Sequence, residues 1–162
     1  MLTDPHAIIE DILIQEGGDK VVFDTGKTTK WGISEKGTGM SADEIKALTK
    51  DDAIEFYFKE YYLPLKRLPA ELLHICIDSA VNMGKRQMVR LLQRASGLTG
   101  DAVDGHLGPQ TYAAAQSCTP GEFREQRFLF YESLVNSQPE KYEKYRMGWL
   151  RRTMRVWEIK II

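Results

Sequence analysis

Residues 4–34 read DPHAIIEDILIQEGGDKVVFDTGKTTKWGIS, and the first half of that stretch predicts a helix ending on a carboxylate. Asp4 suits the N-cap, Pro5 suits the first helical position, and Ile8, Ile9, Ile12 and Leu13 recur at helical spacing. Glu16 comes four residues after Ile12 and three after Leu13, so it continues the apolar stripe, and Gly17 and Gly18 then stop the helix. The pattern places Glu16 facing inward at a helix C-terminus. Partial burial and the negative end of the helix dipole both favour the protonated form of an acid held there. A carboxylic acid that keeps its proton near neutrality is what a glycosidase uses to protonate a departing sugar oxygen. The alternative is a solvated glutamate on a frayed last turn, and helical spacing alone leaves both open.

Residues 19–34 carry Asp24, Thr28, Thr29 and Trp31 together with Gly26 and Gly32, a composition for a hairpin or tight loop that can fold back over Glu16. Here the chain resembles the glycoside hydrolase family 108 N-acetylmuramidases, a group that includes phage endolysins and proteins labelled secretion activators. The resemblance rests on Glu16-Gly17-Gly18 and then, in the family's order, Asp24, Gly26, Thr29, Gly32, Ile33 and Ser34. The chain departs from that pattern in a Glu16–Asp24 interval one residue shorter, and in Thr25 and Lys27 where the family often has Pro and Gly. The same Glu, Asp and Thr trio is similar to the catalytic arrangement of phage-type lysozymes. The resemblance implies that Glu16 is the acid, that Asp24 orients or activates a water, and that Thr29 helps hold that water across the scissile bond. Trp31, in the same loop, is assigned to substrate binding, since such a ring can stack on a pyranose. Read from local chemistry alone, Asp24 also fits an Asx-turn and Thr29 an ordinary strand position.

The remaining 128 of the 162 residues after Ser34 are read for organisation. Ser41-Ala42-Asp43-Glu44 is a capping-box pattern and Thr49-Lys50-Asp51-Asp52 resembles one, so two helices start there. The second carries Phe56, Tyr57, Phe58, Tyr61 and Tyr62, whose expected fate is mainly core packing. Residues 69–84, PAELLHICIDSAVNMG, are apolar nearly all round and predict a central buried helix ended by Gly84. Asp78 and Asn82 lie four apart on it, so each must find partners or line a cavity. The resemblance continues through Asp78, Ala80, Val81, Asn82 and Gly84, and implies substrate-binding positions for Asp78 and Asn82. A structural role tying this helix to the loop near Glu16 is equally open.

Lys85–Ser96 predicts a further helix closed by Gly97. The run from Asp104 to Thr111, DGHLGPQT, resembles the peptidoglycan-binding module that accompanies the family's catalytic region. Thr119, Pro120 and Glu122 start a long helix bounded by Pro139, and Gly148 is expected to interrupt the segment beyond that proline. Lys141–Ile162 holds seven basic and two acidic residues interleaved with Trp149, Leu150, Met154, Val156 and Trp157. That fits a packed terminal helix with a solvated basic face, or a segment for anionic envelope polymers or lipids.

Lys plus Arg number 22 and Asp plus Glu 23, which gives no general nucleic-acid signal. Residues 1–86 carry 11 basic and 15 acidic residues, residues 87–162 carry 11 and 8, so the halves differ in electrostatic character. Cys76 and Cys118 do not make a disulfide framework. His6, His74 and His106 show no zinc pairing, Asp101 and Asp104 lack the spacing of a calcium loop, and no nucleophile elbow or phosphate loop occurs. No metal and no cofactor are expected. The N-terminus lacks the pattern of a secretory signal and no window approaches a membrane span, so the expectation is synthesis in the cytoplasm and delivery by a holin or export machinery to the periplasm and wall.

The expected fold is almost all-α and lysozyme-like, with a minor β-hairpin beside the Glu16 helix, a catalytic region over 1–86 and a peptidoglycan-binding region over 87–162. The expected function is hydrolysis of the β-1,4 bond between N-acetylmuramic acid and N-acetylglucosamine, with inversion, for phage lysis or for wall editing that aids protein export. The peptidoglycan glycan strand is the expected partner, without nucleic acid and without stable membrane insertion. A lytic transglycosylase and a non-catalytic peptidoglycan-binding adaptor are the alternatives.

Overall fold

The computed structural model describes residues 2–24 and 27–158, with side chains through Arg155. Thr25 and Gly26 of the expected hairpin, the side chains of Val156 and Trp157, and residues 159–162 lie outside the described residues. Packing divides the chain into two compact units, Asp4–Pro64 and the chain from Leu65 onward, which also takes in the residues before Asp4.

In the first unit, α1 (Pro5–Gln15) starts where Asp4 accepts a hydrogen bond from the Ala7 amide at 2.8 Å. Its stripe of Ile8, Ile9, Ile12 and Leu13 is buried, each side chain contributing roughly 1.5–3 kcal/mol by leaving water. Asp11 is buried beside them, which periodicity did not predict, and Ile14 is 69% exposed off the stripe. Strands β1 (Val22–Asp24), β2 (Lys27–Lys30) and β3 (Ile33–Ser34) form an antiparallel sheet in that order. The expected hairpin therefore has a third strand. Helices α2 (Glu35–Thr38), α3 (Ala42–Ala47) and α4 (Lys50–Tyr57) come next, the last two opened by reciprocal capping boxes of Ser41 with Glu44 and Thr49 with Asp52. α4 packs on α1 and runs directly into a π-helical turn, Phe58–Tyr62.

The helical turn α5 (Leu63–Leu65) lies at the division between the units. Beyond it, α6 (Ala70–Met83) is buried at every residue from Leu72 through Ala80, as its all-round apolar sequence requires. It packs on α7 (Lys85–Ala95) and α9 (Pro120–Ser137), and for that reason the packing division comes at Leu65, upstream of the functional boundary expected at 86/87. α8 (Pro109–Ala115) lies on α7, and α10 (Pro139–Glu158) lies along α9. Gly148 does not interrupt α10: one glycine costs a helix only about 1 kcal/mol, and Trp149, stacked on Tyr131 at 4.8 Å, anchors the turn beside it.

The DGHLGPQT run is folded around a buried side chain. Gln93 donates to Asp104 Oδ1 at 2.8 Å, Thr111 Oγ1 at 3.0 Å and the His106 carbonyl at 3.1 Å, and accepts from the Gly105 amide at 2.9 Å. Gly105 sits at φ 80°, and a Cβ there would lie 2.7 Å from Arg86 Cγ, so this turn requires glycine. Cys76 and Cys118 are separate buried thiols, and burial pushes both up from the ordinary thiol range. The architecture is a mostly helical, lysozyme-like fold with one small sheet.

Candidate active site

The sequence Glu-Gly-Gly fixes the end of α1 geometrically. Glu16 is the C-cap, the Gly17 amide donates to the Ile14 carbonyl at 3.3 Å, and the Gly18 amide reaches back to the Leu13 carbonyl at 3.0 Å. These two bonds are a Schellman motif, and Gly17 at φ 91° supplies the left-handed residue it needs. Glu16 is therefore held on an ordered, half-buried helix end and is not on a frayed turn.

The sheet comes back onto that end. Lys30 pairs with Ile33, so Trp31-Gly32 is a two-residue hairpin loop, and both residues have positive φ, 56° and 72°, the signature of a type I′ turn. Glycine adopts this at no steric cost, whereas tryptophan pays about 1–2 kcal/mol. Bonds on both sides of Trp31 hold it there: its amide donates to the Gly18 carbonyl at 3.1 Å, and its carbonyl accepts from the Tyr57 hydroxyl at 2.9 Å. Gly32 is pressed between the side chains of Tyr57 and Glu16. A Cβ on it would lie 2.5 Å from Tyr57 Oη and 2.8 and 2.9 Å from Cβ and Cγ of Glu16. Gly32→Ala is accordingly expected to cost roughly 1–3 kcal/mol through overpacking, measurable as a lowered melting temperature.

The register places the other candidates. Val22 pairs with Thr29 and Asp24 with Lys27, and Thr29 also pairs with Ser34. Cross-strand partners share a face and neighbours along a strand alternate, so Asp24 and Thr29 lie on one face of the sheet in diagonal positions. Thr28, on the other face, is buried, and its amide donates to Glu35. Asp24 itself is exposed, as is all of β1. The ring of Trp31 lines a pocket of about 330 Å³ with Leu13, Ile14, Gly18, Asp19 and the Glu10–Lys50 ion pair. The indole N–H is buried with no acceptor among the described residues.

Aromatic rings from α4 and the π-helical turn complete the surroundings of Glu16. Tyr57 is 1% exposed and stacks on Tyr61, their centroids 5.4 Å apart. Burial, then the negative charges of Glu16 and Glu60, holds the Tyr61 phenol above the ordinary tyrosine range. Among the described residues no group of His, Cys, Asp and Glu is arranged to hold a metal ion, and no helix is long and apolar enough to cross a membrane. A carboxyl on a rigid helix end, with a second carboxylate and a hydroxyl on one sheet face, is equipment for general acid catalysis and for orienting a water.

Residues 9–84, which carry Glu16, the sheet, α4 and α6, match the family model described as glycosyl hydrolase 108. This region is similar to glycosyl hydrolase family 108. SagA of Brucella abortus has a similar structure, with a TM-score of 0.73 and 27% sequence identity over 94% of this chain and 90% of that chain. No curated protein matches the chain.

Within the matched residues, Asp78 and Asn82 have structural partners. Asp78 is fully buried, with Arg127 Nη1 2.6 Å from Oδ2, and with Arg152 Nε and Nη2 each 2.9 Å from Oδ1. Asn82 accepts a hydrogen bond from the Tyr131 hydroxyl. These bonds tie α6 to α9 and α10, the structural alternative that their spacing left open, though with partners on different elements. Sequence reasoning gave Tyr57 and Tyr61 mainly to core packing, and it missed the close approach of Gly32. The i, i+4 spacing of Tyr57 and Tyr61 was the available signal, and it does not distinguish packing from a site.

Proposed function

We propose that the chain is an N-acetylmuramidase, hydrolysing the β-1,4 bond between N-acetylmuramic acid and N-acetylglucosamine in peptidoglycan. The observation that carries the reading is Glu16 held by a Schellman cap and backed by Gly32, which aims one carboxyl from a rigid support. Glu16 protonates the departing oxygen. Asp24 and Thr29, diagonal on one sheet face, orient the attacking water, which supports inversion and an expected carboxyl separation of roughly 6.5–9.5 Å. The pocket beside Trp31, with its unpaired indole donor, supports Trp31 as a sugar contact. Residues 87–162 serve to hold the wall polymer, and a holin or export machinery delivers the enzyme to the wall, for phage lysis or for wall editing that aids export.

Purified sacculi provide the test: loss of turbidity, with reducing muropeptides identified by mass spectrometry, is the expected result. Products ending in 1,6-anhydromuramic acid mean that the muramyl 6-hydroxyl replaced water, and they replace this reading with a transglycosylase. Binding without any release of soluble product makes the chain an adaptor. Asp24→Asn is expected to slow hydrolysis less than Glu16→Gln, since water still enters the site. Turnover on the same sacculi checks this, and an equal loss for both variants makes Asp24 indispensable, as a nucleophile is.

A further inference from the structure

The aim of Glu16 depends on a side chain that neither its helix nor the sheet supplies. Tyr57 is the last residue of α4, 1% exposed, wedged edge-on against Phe56 with centroids 5.5 Å apart and stacked on Tyr61. Its ring is thus fixed by packing, and its hydroxyl spends its one proton on the carbonyl of Trp31. That carbonyl belongs to the one non-glycine residue with positive φ among the described residues, so the bond holds the backbone where it is least content by itself. The next residue, Gly32, is the surface against which Glu16 rests. The Tyr57 oxygen and the Cβ and Cγ of Glu16 all lie within 2.9 Å of the same missing Cβ. The phenol, the strained turn and the acid form one packed stack, with the turn between the other two.

From this geometry we propose that Tyr57 is a positioning residue for Glu16: its hydroxyl locks the Trp31-Gly32 turn in its left-handed conformation, and the locked turn sets the rotamer of the glutamate. The inference rests on the muramidase reading for the identity of the reaction, and on packing alone for the positioning. The one proton of the Tyr57 hydroxyl goes to the Trp31 carbonyl. The hydroxyl acts through the turn, so its loss changes where Glu16 points.

Tyr57→Phe removes only that hydroxyl and keeps the ring. With soluble glycan oligomers, kcat is expected to fall roughly 10–100-fold, the scale of about an ångström of misplacement. KM is expected to change less than kcat, and any rise in it reports the Trp31 ring moving with the released turn. The ¹³Cδ resonance of Glu16, tracked by NMR in the full-length protein, is expected to shift as the side chain takes another rotamer. Tyr62→Phe, on the π-helical turn that follows Tyr57 but stacked on Phe58, keeps the Trp31 bond and is expected to leave that resonance in place. An unchanged kcat together with an unmoved resonance overturns the proposal, as does a kcat loss fully matched by the unfolded fraction at the assay temperature. A change confined to KM also overturns it, since that makes Tyr57 a binding residue. If the wild-type protein cleaves no glycan while the resonance still moves, the muramidase reading fails and the positioning role stands.

Discussion

Glu16→Gln leaves a folded protein that releases no soluble muropeptide from purified sacculi. The amide has the shape of the acid, so the Schellman cap, the contact with Gly32 and the packing around Tyr57 are all kept. It has no proton to give a departing sugar oxygen, and a positioned general acid is worth about 10²–10⁴ in rate. Activity is therefore expected below a few per cent of wild type, near that 10² bound. Stability should stay within about 1 kcal/mol, because the amide keeps the shape of the side chain and hence the packing around it. Turbidity loss and a melting curve on the same preparation check both halves. Residual activity well above that level assigns the proton to another group, and inactivity accompanied by unfolding leaves the chemical role of Glu16 unsupported.

Asp78→Ala is expected to act through stability. Removing the carboxylate strands Arg127, which has no solvent exposure, and takes from Arg152 a two-point contact. Breaking a buried pair from one side costs about 3–5 kcal/mol, because the remaining charge is left without compensation. In a chain of this length that lowers the melting temperature by something on the order of 10 °C. Replacing Asp78, Arg127 and Arg152 together with apolar residues of similar volume should restore much of the loss, since no buried charge then remains. Differential scanning calorimetry on the single and triple variants makes the comparison. A single variant that melts like wild type but cleaves poorly would return Asp78 to the substrate-binding role that its family position implies.

Local signals carried the helices and the end of α1. Asp4-Pro5, Ser41 with Glu44, Thr49 with Asp52, and Thr119 with Glu122 are short-range capping chemistry, and each marks an observed helix start. Glu16-Gly17-Gly18 likewise encodes its Schellman cap within three residues. The packing around Glu16 has no such local code. Trp31 adopts a backbone conformation that its own side chain disfavours, and only bonds from Gly18 and Tyr57 keep it there. Gly32 reads as an ordinary turn glycine until Glu16 and Tyr57 are seen on either side of its α-carbon. Asp78 was ambiguous because its partners, Arg127 and Arg152, lie 49 and 74 positions further along the chain, and surplus arginines in an amphipathic terminal segment look solvated. The continuity of α10 through Gly148 was decided by Trp149 against Tyr131, a contact between helices.

The arginine pair around Asp78 also sets an order of events at the ribosome. Asp4–Pro64 is one unbroken stretch, so every residue that packs its core has left the exit tunnel soon after Pro64 is made. The other unit has no such privilege. Its central helix emerges early with Asp78, then must wait through the synthesis of α7, α8 and α9 before Arg127 arrives, and longer still before Arg152 on α10 completes the second contact. At typical elongation speeds of about 5–20 residues per second, that leaves an apolar helix bearing an unmatched charge exposed for several seconds. Until those arginines arrive, the stretch from Leu72 to Ala80, buried in the finished fold, is apolar surface open to aggregation.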